Sequence, residues 1–289
     1  MIRFLVNPAA GRERGRAAIA AVRALAKRLD APVEESRDGP DATRIAADAV
    51  RAGADRLVAI GGDGTLHHAA QALAGSGCAL GVVPVGCGND LAADLGSARD
   101  LREALRRAVE AEPRPLDAGR AGGRIFLTVA GIGFDGEVVK FANERARFLR
   151  GPLVYPYSLV RTLFRFVPPL VRVEHDAGAF EGRVTLVAVA NTTRFGGGMR
   201  VAPGARPDDG MLEIVVVREM PRGRLLRLAP LVYRGRHVRR PEVSVLRSRR
   251  VTVSADRPLL LQADGELIGT VGAEPVPIEA LPGAMRVAT

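Results

Sequence analysis

Residues 57–65 read Leu-Val-Ala-Ile-Gly-Gly-Asp-Gly-Thr, an apolar run of strand length that goes straight into a glycine-rich turn. A helical pattern follows over 66–73. At such a strand-to-helix junction glycines permit positive φ and close backbone approach, so amide N–H groups and the helix N-terminus can receive phosphate oxygens. Asp63 sharpens this reading. A carboxylate repels a bare phosphate, so it makes sense beside a metal ion, a ribose hydroxyl or a fixed donor; the plainer alternative is that it caps the helix. One such turn is weak evidence, and its weight depends on the chain around it.

The flanking stretches repeat the same grammar. Residues 3–6 read as a strand, 16–29 as a helix with Ile19, Val22, Leu25 and Leu29 on one face, and 33–36 as a short strand. Asp41 is the expected N-cap of the next helix, 56–60 and 80–83 are strands, and 89–95 and 101–109 are short helices. Short β-branched runs alternating with Ala-rich helices predict a parallel sheet wrapped by helices. Two more loops place glycines around polar residues: Asn7-Pro8 with Gly11, and Gly86-Cys87-Gly88-Asn89-Asp90. In a parallel sheet the C-terminal ends of the strands open on one edge, so these loops converge with 61–65. A nucleoside triphosphate is the best single ligand for them, although no Walker A lysine is present and the Rossmann spacing is absent from this half.

The whole chain has 289 residues, more than one ordinary core needs, which predicts two domains. Hydrophobic residues at 47%, charged residues at 26% and a mean hydropathy of +0.07 exclude wholesale disorder. Lys plus Arg number 42 against 32 Asp plus Glu, a net +10 that points to a polyanionic partner, either nucleic acid or an acidic membrane. The charge is unevenly placed. Residues 1–118 hold 16 basic and 16 acidic groups, so the whole excess lies in 119–289, together with 11 of the 12 Phe and Tyr. The break predicts a neutral first domain over 1–118 and a basic, aromatic second domain over 119–284, with a last strand near 285–289 free to rejoin the first.

Beyond Pro113 the pattern changes to strands, at 125–130, 170–174, 184–190, 212–217, 243–245, 251–254 and 259–262, with turn signals at Asp176-Ala177-Gly178 and Asp264-Gly265. Helical insertions are expected at 136–150, 158–166 and 222–233. This is a mainly antiparallel β domain. Cys78 and Cys87 are too few and too close for a disulfide framework or a zinc site, which suits a reducing compartment. The first residues lack a signal-peptide pattern, and arginines interrupt every apolar stretch short of the ~18 residues that cross a bilayer, so membrane association is expected to be peripheral. The spacing Gly131-x-Gly133-x-x-Gly136 follows a strand but stands outside a parallel βαβ context, and is not read as a dinucleotide fingerprint. His175 and His237 have no metal-ligand spacing and are expected at the surface.

Taken in order, the motifs are Asn-Pro-x-x-Gly at 7–11, Gly-Gly-Asp-Gly-Thr-Leu at 61–66, Pro-x-Gly-x-Gly-Asn-Asp at 84–90, Leu-Asp-x-Gly at 116–119 and Gly-x-Gly-Phe-Asp at 131–135. Phe-Gly-Gly-Gly with Val-Ala-Pro and Asp-Asp-Gly-x-Leu follows at 195–212, then Ala-Asp-Gly-Glu at 263–266. This ordered series resembles the bacterial diacylglycerol kinases and related lipid kinases over nearly the whole chain. The resemblance implies an α/β N-terminal domain of the phosphofructokinase and NAD kinase type and a C-terminal antiparallel β-sandwich. It also implies ATP and Mg²⁺ as cofactors, a lipid hydroxyl as acceptor, and a cytoplasmic enzyme peripherally bound at the inner face of the membrane.

By the same resemblance, ATP contacts fall on Asn7, Pro8, Gly11, Ser36, Gly61, Gly62, Asp63, Gly64, Thr65, Leu66, His67, Gly86, Cys87, Gly88, Asn89 and Asp90. Glu266 matches the catalytic general base, and Asp117 with Asp63 matches the acids of the Mg²⁺ and water network. Asp209, with the backbone carbonyls of Arg206 and Met211, matches a secondary metal site. Two positions depart from the family pattern: His67 stands where Asn is common, and Cys87 where Thr is usual, which removes a hydroxyl contact to ATP. Phosphoryl transfer itself asks for charge neutralisation, donors around the phosphates and a carboxylate to take the hydroxyl proton. If Asp63, Asp117 and Glu266 meet, their mutual repulsion calls for a cation. On residues alone, Asp264-Gly265-Glu266 and Asp208-Asp209-Gly210 read equally well as solvated turns.

On the acceptor side, Phe134, Phe141, Phe148 and Tyr155 recur every seven residues, Tyr157, Phe164 and Phe166 follow, and Arg145, Arg147, Arg150, Arg161 and Arg165 interleave them. Such a stripe is either core packing or, bordered by cations, a face that lies on an anionic bilayer. Arg234, Arg236, Arg239 and Arg240 form a second basic cluster. The expected partners are ATP, a lipid alcohol such as diacylglycerol and an anionic membrane surface; no nucleic-acid module is present, and a homodimer is left open. Two alternatives stand beside this reading: a kinase acting on NAD, which shares the 61–65 turn, and a catalytically weak nucleotide- or lipid-binding regulator.

Overall fold

The apolar runs of the first half become parallel strands: β1 (Ile2–Val6), β2 (Val33–Glu35), β3 (Arg56–Gly61) and β4 (Ala79–Pro84). The helices are α1 (Arg12–Leu29), α2 (Gly39–Arg51), α3 (Asp63–Leu73), α4 (Asp90–Asp94) and α5 (Leu101–Glu110). The order β2-β1-β3-β4 is parallel throughout, so the chain leaves β1 to one side for β2 and returns to its other side as β3. Such a reversal opens a crevice at the C-terminal edge. Strand alternation sorts the core: Phe4, Val6, Val58 and Ile60 turn to one face with Val22 and Ala26 of α1 and Leu105 and Ala108 of α5. Leu5, Leu57 and Ala59 alternate to the other face and are equally buried. Asp41 is not the cap of α2. That position belongs to Asp38, whose carboxylate accepts from the Asp41 N–H at 2.8 Å, while Asp41 itself pairs with Arg37 and Arg44.

The computed structural model describes residues 1–144 and 154–289, and divides the chain into two compact units, Met1–Ala118 with Pro282–Thr289, and Gly119–Leu281. The second is built from β5 (Arg114–Ala121), which starts in the first unit, β6 (Arg124–Phe126), β7 (Val129–Gly133), β8 (Leu170–His175), β9 (Gly178–Ala190) and β10 (Leu212–Arg218). It continues with β11 (Val243–Ser248), β12 (Arg250–Ala255), β13 (Leu259–Ala263), β14 (Glu266–Val271) and β15 (Val276–Ala288). Three helices are inserted, α6 (Phe134–Glu144), α7 (Val154–Leu163) and α8 (Arg222–Val232), with a 3-10 turn at His237–Arg239.

One antiparallel sheet runs β14-β13-β7-β9-β10-β11, and a second runs from the first half of β9 through β8 and β12 to the start of β15. The long strand β9 serves both. Ile132, Val187, Val189, Ile214 and Val216 of the first sheet pack with Val171, Val173, Val251, Val253 and Ile278 of the second, a β-sandwich core. The alternate residues Val129, Ala188, Val215 and Val217 face outward from the sandwich and are covered by the 191–211 loop and α8.

Several expectations change here. The strand read at 125–130 is two strands, because the chain bends at Leu127-Thr128 and hands its amides to Asp264. Strands β5 and β14 were not anticipated, since Pro115 and Gly119 in one and Gly269 in the other break the β-branched pattern. At the end of β15, Val287 and Ala288 pair in parallel with Leu80 and Gly81 of β4. Of the aromatic stripe, Phe134 is buried and meets Phe166 edge-on, with ring centroids 5.6 Å apart, whereas Phe164 is 58% exposed. Arg145, Arg147, Phe148 and Arg150 lie outside the described residues, as does the Tyr155 side chain. Among the described residues, no helix is long and apolar enough to cross a membrane.

Candidate active site

Three loops at the C-terminal edge of the parallel sheet are tied together by backbone and short side chains. The Asn7 N–H donates to the Ile60 carbonyl at 3.0 Å, its Nδ2 donates to Thr65 Oγ1 at 3.0 Å, and its Oδ1 accepts from the Ala9 N–H at 3.0 Å. The Val85 N–H donates to the Gly61 carbonyl at 2.9 Å. The loops touch so closely that a Cβ on Gly86 would stand 2.6 Å from the Gly62 Cα. Gly11, at φ +73°, is constrained twice, since a Cβ there would also lie 2.0 Å from the Val85 carbonyl oxygen.

Helix capping separates these loops from their neighbours. Helices α2 and α5 start with Asp38 and Asp100 as side-chain caps, whereas α1, α3 and α4 start at Gly11, Gly62 and Asn89 with none. None of these three N-caps supplies a side-chain acceptor, and the positive ends of α1 and α3 favour an anion, whereas in the short α4 the Leu91 N–H is already taken by Asp63. Asn89 holds φ +54°, donates through Nδ2 to the Gly86 carbonyl at 2.7 Å, and keeps a buried Oδ1 with no partner among the described residues.

Asp63 does not cap α3. Its carboxylate accepts from the Leu91 N–H at 3.2 Å and so links the turn after β3 to α4. Asp117 is buried in β5 and accepts from the Gly283 N–H at 2.7 Å, fastening the returning end of the chain. Ser36 is buried with its N–H and hydroxyl both directed at the Val6 carbonyl, at 2.8 and 3.4 Å. His67 is buried in α3, edge-on to His68 at 5.3 Å, while Pro8, Cys87 and Gly88 are exposed at loop tips. Among the described residues, no three His, Cys, Asp or Glu side chains converge as a metal cage.

In the second unit the turn before β14 is not the solvated hairpin that its residues also allow. Asp264, at φ +51°, is buried, and its carboxylate accepts from the N–H groups of Leu127 at 2.9 Å, Thr128 at 2.8 Å and Val129 at 3.3 Å and from the Thr128 hydroxyl at 2.6 Å. The next residue, Gly265, donates its N–H to Gln262 Oε1 at 2.8 Å, and Gln262 Nε2 donates to Asp135 Oδ2 at 3.0 Å. Glu266 thus stands half-buried at the start of a strand whose turn is pinned from both sides. Asp135, in the first turn of α6, also accepts from the Gly136 N–H at 2.9 Å. Burial pushes its carboxyl up to about 6, against the pull of the Gln262 and Gly136 hydrogen bonds. Gly131 makes room for it, since a Cβ there would lie 1.5 Å from Asp135 Oδ2.

Asp135 opens onto a cavity of about 130 Å³ between the outer face of the six-stranded sheet and helices α6, α7 and α8. Its walls are almost wholly apolar, with Phe134, Val138, Leu163, Val217, Leu225 and Leu228 among them. His237 also lines it and is 2% exposed, a correction to the surface position expected for it; burial pushes its ring below the usual histidine range. No signal in the sequence marks Gln262 or His237, whereas Asp135 lies within the Gly-x-Gly-Phe-Asp motif. At the predicted secondary metal site, Arg206 is exposed, and Asp209 pairs with the Arg247 guanidinium and accepts from the Met211 N–H at 3.0 Å.

Residues 1–121 match the family model described as the diacylglycerol kinase catalytic domain, and residues 128–289 match the YegS C-terminal NAD kinase beta sandwich-like domain. The chain is 30% identical over 279 residues to a diacylglycerol kinase of Bacillus subtilis, covering 94% of this chain and 91% of that one. To a diacylglycerol kinase of Mycobacterium tuberculosis it is 34% identical over 257 residues, covering 86% and 82%. A crystal structure of a diacylglycerol kinase from Bacillus anthracis shares the fold, with a TM-score of 0.74 at 20% identity over 99% of this chain and 96% of that one. Kinship in sequence spans both the glycine-loop unit and the sandwich, and the chain belongs to the diacylglycerol kinase family.

Proposed function

We propose that the protein transfers the γ-phosphoryl group of ATP, with Mg²⁺, to the hydroxyl of a diacylglycerol-like lipid at an anionic membrane surface. The observation that carries the acceptor assignment is the apolar cavity of the second unit, whose polar residue Asp135 is joined through Gln262 to the turn that presents Glu266. An apolar chain fits such walls, and a dinucleotide does not. In this reading Glu266 accepts the acceptor's hydroxyl proton as the oxygen bonds to phosphorus, the bond from phosphorus to the β–γ bridging oxygen breaks, and ADP leaves. The uncapped starts of α1 and α3 hold the phosphates, and Asp63 and Asp117 are the first unit's carboxylates for the ion. Bound with ATP, Mg²⁺ supplies neutralisation of the phosphate charge.

The membrane part of the proposal rests on α7 and α8. Leu163 of α7 and Leu225 of α8 line the cavity, while Val160 of α7, Phe164 just past its end and Leu226 of α8 are exposed, in stretches that also carry Arg161, Arg165 and Arg227. Apolar groups bordered by arginines suit an anionic bilayer. The deciding experiment offers radiolabelled ATP with diacylglycerol, a sphingoid base and phosphatidylglycerol in mixed micelles, and with NAD in solution. Transfer to a lipid and none to NAD is expected; no transfer to any lipid by protein that still binds ATP would sink the proposal.

A further inference from the structure

Two glycines of the spacing Gly131-x-Gly133-x-x-Gly136 make room for one buried contact. Gly131 lies directly opposite Gln262 in the pairing of β7 with β13, and a Cβ on it would stand 1.5 Å from Asp135 Oδ2 and 2.6 Å from Gln262 Nε2. Gly136 lets the first turn of α6 come down on β13, since a Cβ there would be 2.7 Å from the Leu260 Cβ. Without those two side chains, α6 can seat Asp135 against Gln262. Gln262 itself is 0% exposed and sits where the register between β13 and β14 shifts, an irregularity of the kind that re-aims a side chain.

Each end of the Gln262 carboxamide has a fixed partner. The Gly265 N–H only donates, so Oε1 faces it; the Asp135 carboxylate accepts, so Nε2 faces Asp135. Turned over, the amide would set donor against donor and oxygen against carboxylate, so one orientation alone satisfies both. Asp135 thus sets the amide, and the amide ties down Gly265. That residue, at φ +91°, and Asp264, at φ +51°, form the whole turn between Ala263 and Glu266, which pair across it. We infer that Gln262 is the positioning residue for Glu266: its amide relays the placement of Asp135 to the turn and fixes where the general base stands. The inference rests on the lipid-kinase reading for the role of Glu266. A base must lie within hydrogen-bond reach of the proton it takes, and a displacement of about 1 Å costs on the order of a hundredfold in rate.

The test uses the full-length protein, steady-state transfer from MgATP to diacylglycerol in mixed micelles, and backbone amide exchange followed by NMR. Gln262→Met keeps the length of the side chain and removes both hydrogen bonds. Its kcat is expected to fall by about tenfold or more, with KM for ATP and for lipid within about twofold of wild type. The Gly265 amide should exchange faster, while the Leu127 and Thr128 amides, held by Asp264, keep their protection. The double variant Asp135→Asn with Gln262→Glu rebuilds the bridge from the other side: the new carboxamide donates, the new carboxylate accepts from it and from the Gly265 N–H, and the network still carries one carboxylate. Its kcat should stay within about threefold of wild type. An unchanged kcat in Gln262→Met, a loss carried by KM alone, or a double variant as slow as Gln262→Met overturns the inference. If Gln262→Met does not fold, a double variant slowed about tenfold, or a wild-type Gly265 amide that exchanges like an open turn, overturns it instead. Wild-type transfer with full kcat in Gln262→Met refutes only the relay, and a wild type that transfers to no lipid while Gln262→Met releases the Gly265 amide refutes only the kinase.

Discussion

A single carboxylate shows how little a residue's type says about its role. Asp264 and Glu266 stand two apart in one turn, yet Asp264 is buried under four donors and Glu266 faces a partly open setting. Replacing Asp264 by Ala leaves those donors unpaired, so unfolding in urea should show a loss of about 3 kcal/mol or more, with transfer falling as the turn loosens. Glu266→Gln should do the opposite: stability stays near wild type, ATP binding persists and transfer is abolished. Asp135 adds a dependence on pH. Its carboxyl is pushed up to about 6 in the fold, above the ordinary 3.8, so the folded state binds its proton more tightly than the unfolded chain. Stability from this group is therefore fully present below about pH 4 and is lost as pH rises toward 6. The urea stability of the wild type relative to Asp135→Asn should be lower at pH 7 than at pH 4, by up to about 3 kcal/mol, a comparison in which constant packing differences cancel.

At the scale of elements, the strand-turn-helix units of the first half were legible because period and punctuation agree: an apolar run, glycines, then an Ala-rich helix. What the pattern concealed was the contact between turns. Gly62 and Gly86 belong to different units of that grammar, and only the parallel pairing of β3 with β4 brings them together. Gly86→Ala would force the two loops apart; if MgATP binds there as proposed and raises the thermal unfolding temperature of the wild type, that rise should shrink, with nucleotide affinity down at least tenfold. Asp38→Ala, at the capped helix next door, should cost about 1 kcal/mol of stability and leave the nucleotide-induced rise intact. In the second half, the split of 125–130 into β6 and β7 escaped the sequence because its cause lies far along the chain, in the Asp264 carboxylate.

Across the whole molecule, the excess of positive charge and nearly all the aromatic residues fall beyond residue 118. If α7 and α8 meet an anionic bilayer, binding to phosphatidylglycerol vesicles should weaken steeply between low and high salt. Phe164→Glu should lower it further without shifting the thermal unfolding temperature, because that ring is 58% exposed. Co-sedimentation measures both; salt-independent binding, or none, would remove the membrane from the proposal. The sequence by itself determined the fold class, the family and the gathering of three glycine loops on one sheet edge, since these follow from local periodicity, from the order of motifs and from the geometry that every parallel sheet shares. Only the tertiary structure decided which acid of Asp264-Gly265-Glu266 is buried, that Arg247 sits on Asp209, and that His237 lines an apolar cavity. Each of these depends on which distant segment supplies the neighbours, and burial and hydrogen-bond partnership are properties of that packing, which no local pattern encodes.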